Sequence, residues 1–146
     1  MIEIKFSKKH IAIFKKMGIQ TIYLFGSYAT GNIQPMSDVD IGIVFDKPEK
    51  YKDDTMKPYL KLYDIFTDVL PKEYLRKRFK MKEHEFDLVF LQFAPNILQF
   101  KAIKDSKVLY KKSQKENMNF KEKVLKQYCD FKYFYDLQYN ALLQRI

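Results

Sequence analysis

A chain of 146 residues with 47% apolar composition is long enough to bury one domain's core and too apolar to be disordered. No apolar run nears the ~20 residues of a membrane span, and lysines interrupt the N-terminal apolar positions too often for a signal peptide. The lone Cys129 excludes an internal disulfide or a multi-cysteine zinc site, so a cytoplasmic, reduced, membrane-free setting is expected.

The net charge of +9 comes almost wholly from lysine, since only Arg76, Arg78 and Arg145 are arginines. Sequence-reading nucleic-acid binders use arginine for bidentate contacts, and these lysines are spread along the chain. Solvated lysine-rich faces are therefore favoured over a nucleic-acid surface.

In chain order, Ser7 caps a first helix whose apolar side carries Ile11, Phe14 and Met17, and Gly18 stops it. Residues 21–25, TIYLF, form a short strand that ends at Gly26-Ser27. A tight turn over 28–32 and a Pro-containing loop over 33–37 lead to a second strand, VDIGIVF, at 39–45. Charged loop follows over 46–54. Helical spacing then resumes over 56–70 through Leu62, Ile65, Phe66 and Val69. Pro71 and a basic stretch over 72–85 connect to a third strand, FDLVFL, at 86–91. Pro95 opens a helix carrying Ile97, Phe100 and Ile103, and VLY at 108–110 reads as an edge strand or extended tail. From about residue 118 a long helix steps through Phe120, Val124, Tyr128, Phe131 and Tyr135. The order α-β-β-α-β-α-α predicts an α/β (α+β) fold, a small sheet with helices packed against it. One domain is expected over 1–146, with its core at about 1–110 and a helical segment at about 118–146.

The second strand holds the chemistry. With a period of two, Asp38, Asp40, Gly42 and Val44 share one face, and Val39, Ile41, Ile43 and Phe45 share the other. Two carboxylates opening one face of a buried strand repel each other unless a cation lies between them. Magnesium fits best, because it takes oxygen ligands, one or two carboxylates and substrate phosphates. Asp87 repeats the pattern early in the third strand. If the two strands are neighbours, three carboxylates converge and can hold two ions about 4 Å apart, the arrangement of phosphoryl and nucleotidyl transfer. Gly26 permits close backbone approach at the end of the first strand, and Ser27 offers a hydroxyl and an N–H to phosphate. Gly26, Gly31 and Gly42 gather in this one window, which predicts that the backbone there passes close to something.

Gly26-Ser27, ten intervening residues, then Asp38-x-Asp40, with Asp87 as third acid, resembles the signature of the DNA polymerase β-like nucleotidyltransferase superfamily. The short length, the run DLVFLQFAPNILQFKAIKDSKVLY at 87–110 and the ending DFKYFYDLQYNALLQRI resemble the minimal nucleotidyltransferase antitoxins that accompany HEPN-domain toxins. The resemblance implies a mixed sheet, ATP as donor and magnesium as cofactor. It gives Asp38, Asp40 and Asp87 catalytic and metal-binding roles, and gives Gly26, Ser27 and Ser37 the nucleotide. The acceptor it implies is a tyrosine of a partner HEPN toxin, silenced by added AMP. Residues 47–85 are longer and more lysine-rich than that group's linker, which bears on the acceptor surface rather than the metal chemistry.

Two alternatives stand beside this reading. One is an antitoxin that neutralises its partner by contact alone through the C-terminal aromatic helix; the other is adenylyl transfer to a small molecule or RNA. Of the remaining residues, His10 is expected exposed on its helix, His84 in a solvated loop, and Cys129 as a small core residue. The rows Tyr128, Phe131, Tyr135 and Phe134, Leu137 are expected to serve the core, a partner helix, or both.

Overall fold

The structure is a computed structural model that describes residues 4–26, 29, 39–70 and 86–145. Helix α1 spans Lys8–Met17, strand β1 Ile19–Phe25, strand β2 Val39–Phe45, helix α2 Met56–Val69 and strand β3 Phe86–Phe90. Helix α3 (Asn96–Lys104), strand β4 (Lys107–Lys111) and helix α4 (Gln114–Gln144) follow, with single 3-10 turns at Pro48–Tyr51 and Leu91–Phe93.

The four strands make one mixed sheet in the order β3-β2-β1-β4. β1 runs antiparallel to both β2 and β4, whereas β2 and β3 are parallel. The expected α/β fold with a small mixed sheet and a long C-terminal helix is therefore present, and VLY at 108–110 is an edge strand.

The alternation along β1 and β2 divides the core between the two faces. Ile22, Leu24, Ile41 and Ile43 pack on one face with Phe14 of α1 and Leu62, Ile65 and Phe66 of α2. Tyr23, Phe25 and Val44 pack on the other with Ala102 and Ile103 of α3 and Phe120 and Val124 of α4. Burying an aromatic or branched aliphatic side chain of this kind stabilises by about 1.5–3 kcal/mol, so the sheet is held from both sides.

Local signals explain most boundaries. The Ser7 hydroxyl accepts from the His10 N–H, and the His10 ring accepts in turn from the Ser7 N–H, which closes a capping box at the start of α1. His10 is thus a half-buried capping residue rather than simply an exposed one. α4 begins at Gln114, earlier than the apolar stepping suggests, because the Ser113 hydroxyl caps the Glu116 N–H at 3.1 Å. The charged loop over 46–54 contains the turn Pro48–Tyr51, fixed by Tyr51 donating to the Met17 carbonyl at 2.7 Å.

Three expectations about burial are corrected. Cys129 is exposed, not a core residue. Phe131, Phe134 and Leu137 are exposed too and lie outside the core, whereas Tyr128 and Tyr135 are half-buried, with Tyr128 stacked on Phe100 at 3.7 Å. On α3 the buried side is Gln99, Ala102 and Ile103, while Ile97 faces solvent.

Candidate active site

β1 ends, and β2 and β3 begin, at one end of the sheet. The parallel register sets Asp40 directly beside Asp87, on strands whose axes lie about 4.8 Å apart. The sequence left open whether these strands are neighbours; they are, and the two acids share the face opposite α1 and α2 because each is an odd step from the apolar residues that face those helices. Both are half-buried, so their carboxylates remain within reach of a ligand.

Phe25 of β1 pairs with Asp40, which brings the exit of β1 against the same carboxylate. Gly26 has φ +77°, a left-handed backbone that favours glycine, and its carbonyl accepts from the Ala29 N–H at 3.1 Å. A Cβ at Gly26 would overlap Asp40 Oδ2. The close approach predicted at Gly26 is thus an approach to the predicted acid. Gly42 has a different reason: a Cβ there would stand 2.8 Å from Leu91 Cδ1, so this glycine makes room for a core side chain rather than for a ligand.

Ser27, Ser37 and Asp38 lie outside the described residues, as do Gly31, His84 and the whole basic stretch at 72–85. Of the predicted site, the structure brings together Gly26, Asp40 and Asp87.

Tyr59, on the first turns of α2, was not anticipated. Its ring packs edge-on to Phe90 at 6.3 Å and stacks with Tyr63, and burial raises its hydroxyl's pKa, with Tyr63 and then Asp87 adding to the rise. The signal available was its place three residues before Leu62, on the helix side that turns toward β3. Tyr59 also walls an apolar groove of about 380 Å³, together with Thr55, Met56, Leu88, Val89, Phe90, Phe93 and Ala94.

The family model described as Polymerase beta, Nucleotidyltransferase matches residues 8–115. The protein adenylyltransferase MntA of Aphanizomenon flos-aquae (strain 2012/KM1/D3) is 32% identical over 107 residues, which cover 73% of this chain and 67% of that protein. The fold is shared with a chain of a toxin–antitoxin solved with AMP-PNP, at TM-score 0.66 and 20% identity over 91% of this chain and 94% of that one. It is shared as well with a chain of the tri-AMPylated Shewanella oneidensis HEPN toxin in complex with MNT antitoxin, at TM-score 0.62 and 19% identity over 92% and 93% of the two chains. Among the described residues no helix is long and apolar enough to cross a membrane.

Proposed function

The chain belongs to the polymerase β nucleotidyltransferase family, and from that premise we propose that it is a magnesium- and ATP-dependent adenylyltransferase acting as the antitoxin of a HEPN toxin, with a partner tyrosine hydroxyl as acceptor. The observation that carries the reading is the register of Asp40 with Asp87, closed on its β1 side by a glycine with no room for a side chain. A relative named as a protein adenylyltransferase, and fold neighbours solved as toxin–antitoxin complexes, one with AMP-PNP and one with a tri-AMPylated toxin, support donor, product and partner.

The residues suit a hard divalent cation. Two adjacent carboxylates supply oxygen donors only, and their mutual repulsion is relieved by positive charge between them. Asp38, Asp40 and Asp87 would hold the ions. Magnesium, when bound, supplies charge neutralisation on the phosphate oxygens.

The chain's own residues do the rest. Gly26 lets the backbone come up to the triphosphate, and Ser27 and Ser37 hydrogen-bond it. Asp87 accepts a hydrogen bond from the acceptor hydroxyl and aims its oxygen at the α-phosphorus. A bond forms between that oxygen and the α-phosphorus as the bond to the oxygen bridging the β-phosphate breaks. Pyrophosphate leaves with the electron pair, and the hydroxyl proton passes by way of Asp87 to solvent. The whole chain acts as one domain in the cytoplasm, with the catalytic core at about 1–110.

The test is transfer of label from α-phosphate-labelled ATP to a HEPN partner in the presence of magnesium. Transfer that disappears with Asp40→Asn supports the reading. Absence of transfer, or transfer indifferent to that change, rejects it.

A second reading draws on α4, where Phe131, Phe134, Leu137, Leu142 and Leu143 are all exposed. Such a surface on one helix suits a helical partner, and neutralisation by contact alone would then survive loss of the acids. Toxin neutralisation by an Asp40→Asn, Asp87→Asn double variant separates this from catalysis.

A further inference from the structure

The groove beside Tyr59 lies along the outer edge of β3. Residues of both strand faces line it: Leu88 and Phe90 from the side that meets α2, and Val89 from the side that carries Asp87. Among the described residues β3 pairs on one side only, with β2, so its other edge presents backbone donors and acceptors along the groove.

The order of parts across the sheet decides what this edge meets. Gly26 closes the site on the β1 side of Asp40, and beyond β1 the exposed Lys107 of β4 pairs with Leu24 at the same sheet end. Anionic phosphates are therefore favoured on the β1–β4 side. Among the described residues the groove on the β3 side is lined by no charged side chain. Displacement at phosphorus is in line, so a leaving pyrophosphate toward β1 puts the attacking hydroxyl toward β3. Asp87 opens that strand, and the groove follows it from Leu88 onward.

We propose that this groove is the acceptor subsite: it takes an extended, apolar segment of the protein substrate, main chain laid along β3 as an added strand, with the hydroxyl to be adenylylated at the Asp87 end. This rests on the adenylyltransferase reading above and adds how the acceptor is recognised. Met56 and Phe93 are the anchors on the substrate side, being the exposed large apolar side chains of the lining, at 60% and 45%. Their place past the end of β3 predicts a preference for apolar residues several positions to one side of the modified one, spaced by two as along any strand.

Charge placed at the anchors tests this without threatening the fold, because both side chains already meet solvent. With the HEPN partner as acceptor, Met56→Glu and Phe93→Glu should each raise KM for the partner about 10-fold or more while kcat stays within about two-fold. Affinity for a non-hydrolysable ATP analogue, titrated separately, should stay within about two-fold, and Met56→Leu and Phe93→Leu should restore the wild-type KM. A parallel fall in analogue affinity would assign the groove to the nucleobase and overturn the proposal. So would wild-type KM in both charged variants. If the wild-type chain binds the analogue yet transfers nothing, the adenylyltransferase reading itself has failed, and the acceptor groove with it; transfer by wild type with indifference to the anchors sinks the groove alone.

Discussion

The two ends of the sheet handle polar groups in opposite ways. At the end where β2 finishes, the Gln92 side chain donates to the Phe45 carbonyl and accepts from the Phe45 N–H, both at 2.7 Å, so an amide extends the ladder where β3 has stopped. Beside it the Lys112 N–H reaches the Gln20 carbonyl at 2.8 Å, and the Lys112 ammonium meets Asp46 Oδ2 at 2.9 Å. Every charge and backbone group in that set is answered by an opposite charge or a complementary dipole. At the other end Asp40 and Asp87 stand side by side with like charge, and Gly26 is held in a left-handed conformation against one of them. The first arrangement lowers the energy of the folded chain. The second gathers two carboxylates and a left-handed glycine at one strand end, an arrangement that a strand ladder does not need and a ligand site does.

If that contrast is right, changes at the acid end cost activity and loss of the Gln92 contacts at the far end costs stability. The largest effect belongs to Asp40→Asn, for which transfer of label to the partner should fall by about 10²–10³-fold or more. Asp87→Asn should lower kcat by about 10²-fold or more with nucleotide affinity retained, and its melting temperature should stay near wild type, because the half-buried amide keeps the carboxylate's shape. A large drop in melting temperature instead would mean that Asp87 is a structural residue. Gly26→Ala comes next. A Cβ there overlaps the Asp40 carboxylate, and an L-residue in this backbone region costs about 1–2 kcal/mol. A displacement of the order of an ångström at the acid should lower kcat by about 10²-fold, more than the stability loss would predict.

Most of the fold was legible because its parts announce themselves locally. Alternation in VDIGIVF and the cap-to-glycine frame around α1 are short-range signals. The start of α4 was also legible but was overlooked: Ser113 with Glu116 three residues on is a capping signature, and apolar stepping that starts at Phe120 hides it. What lay outside the sequence was pairing. Nothing local to β2 or β3 states that Asp40 sits opposite Asp87, since register across a parallel pair is settled by the whole sheet. The same limit explains Phe131, Phe134 and Cys129, where periodicity aligns side chains on a helix but cannot say whether anything covers them. Gly42 shows the converse error, a glycine grouped with the ligand site that instead accommodates Leu91.

The far end supplies the smaller predictions. Gln92→Ala leaves the Phe45 N–H and carbonyl without their partner in a buried strand end, a loss of about 1–3 kcal/mol for a buried group left unsatisfied. Transfer per folded molecule should stay within about two-fold of wild type, since Phe45 is at the opposite end of β2 from Asp40. If activity fell with stability intact, the two ends would be coupled and the contrast would fail.

Asp46→Asn probes the weakest element of the same cluster. Lys112 has a raised pKa, first through its hydrogen bond to Asp46 and then through the charges of Asp46 and Glu116. A group whose pKa is raised on folding contributes stability below its unfolded pKa and loses it as pH rises through the folded one. For a lysine both values lie above 10, so the pair leaves the stability curve flat through neutral pH. The ammonium is fully solvated, which screens the interaction further. Asp46→Asn should therefore leave the melting temperature at pH 7 unchanged, while NMR titration shows the Lys112 pKa falling toward its ordinary value. An unchanged Lys112 titration would mean that the contact at 2.9 Å does not persist in solution, and the compensation at this end of the sheet would then rest on Gln92 and the backbone alone.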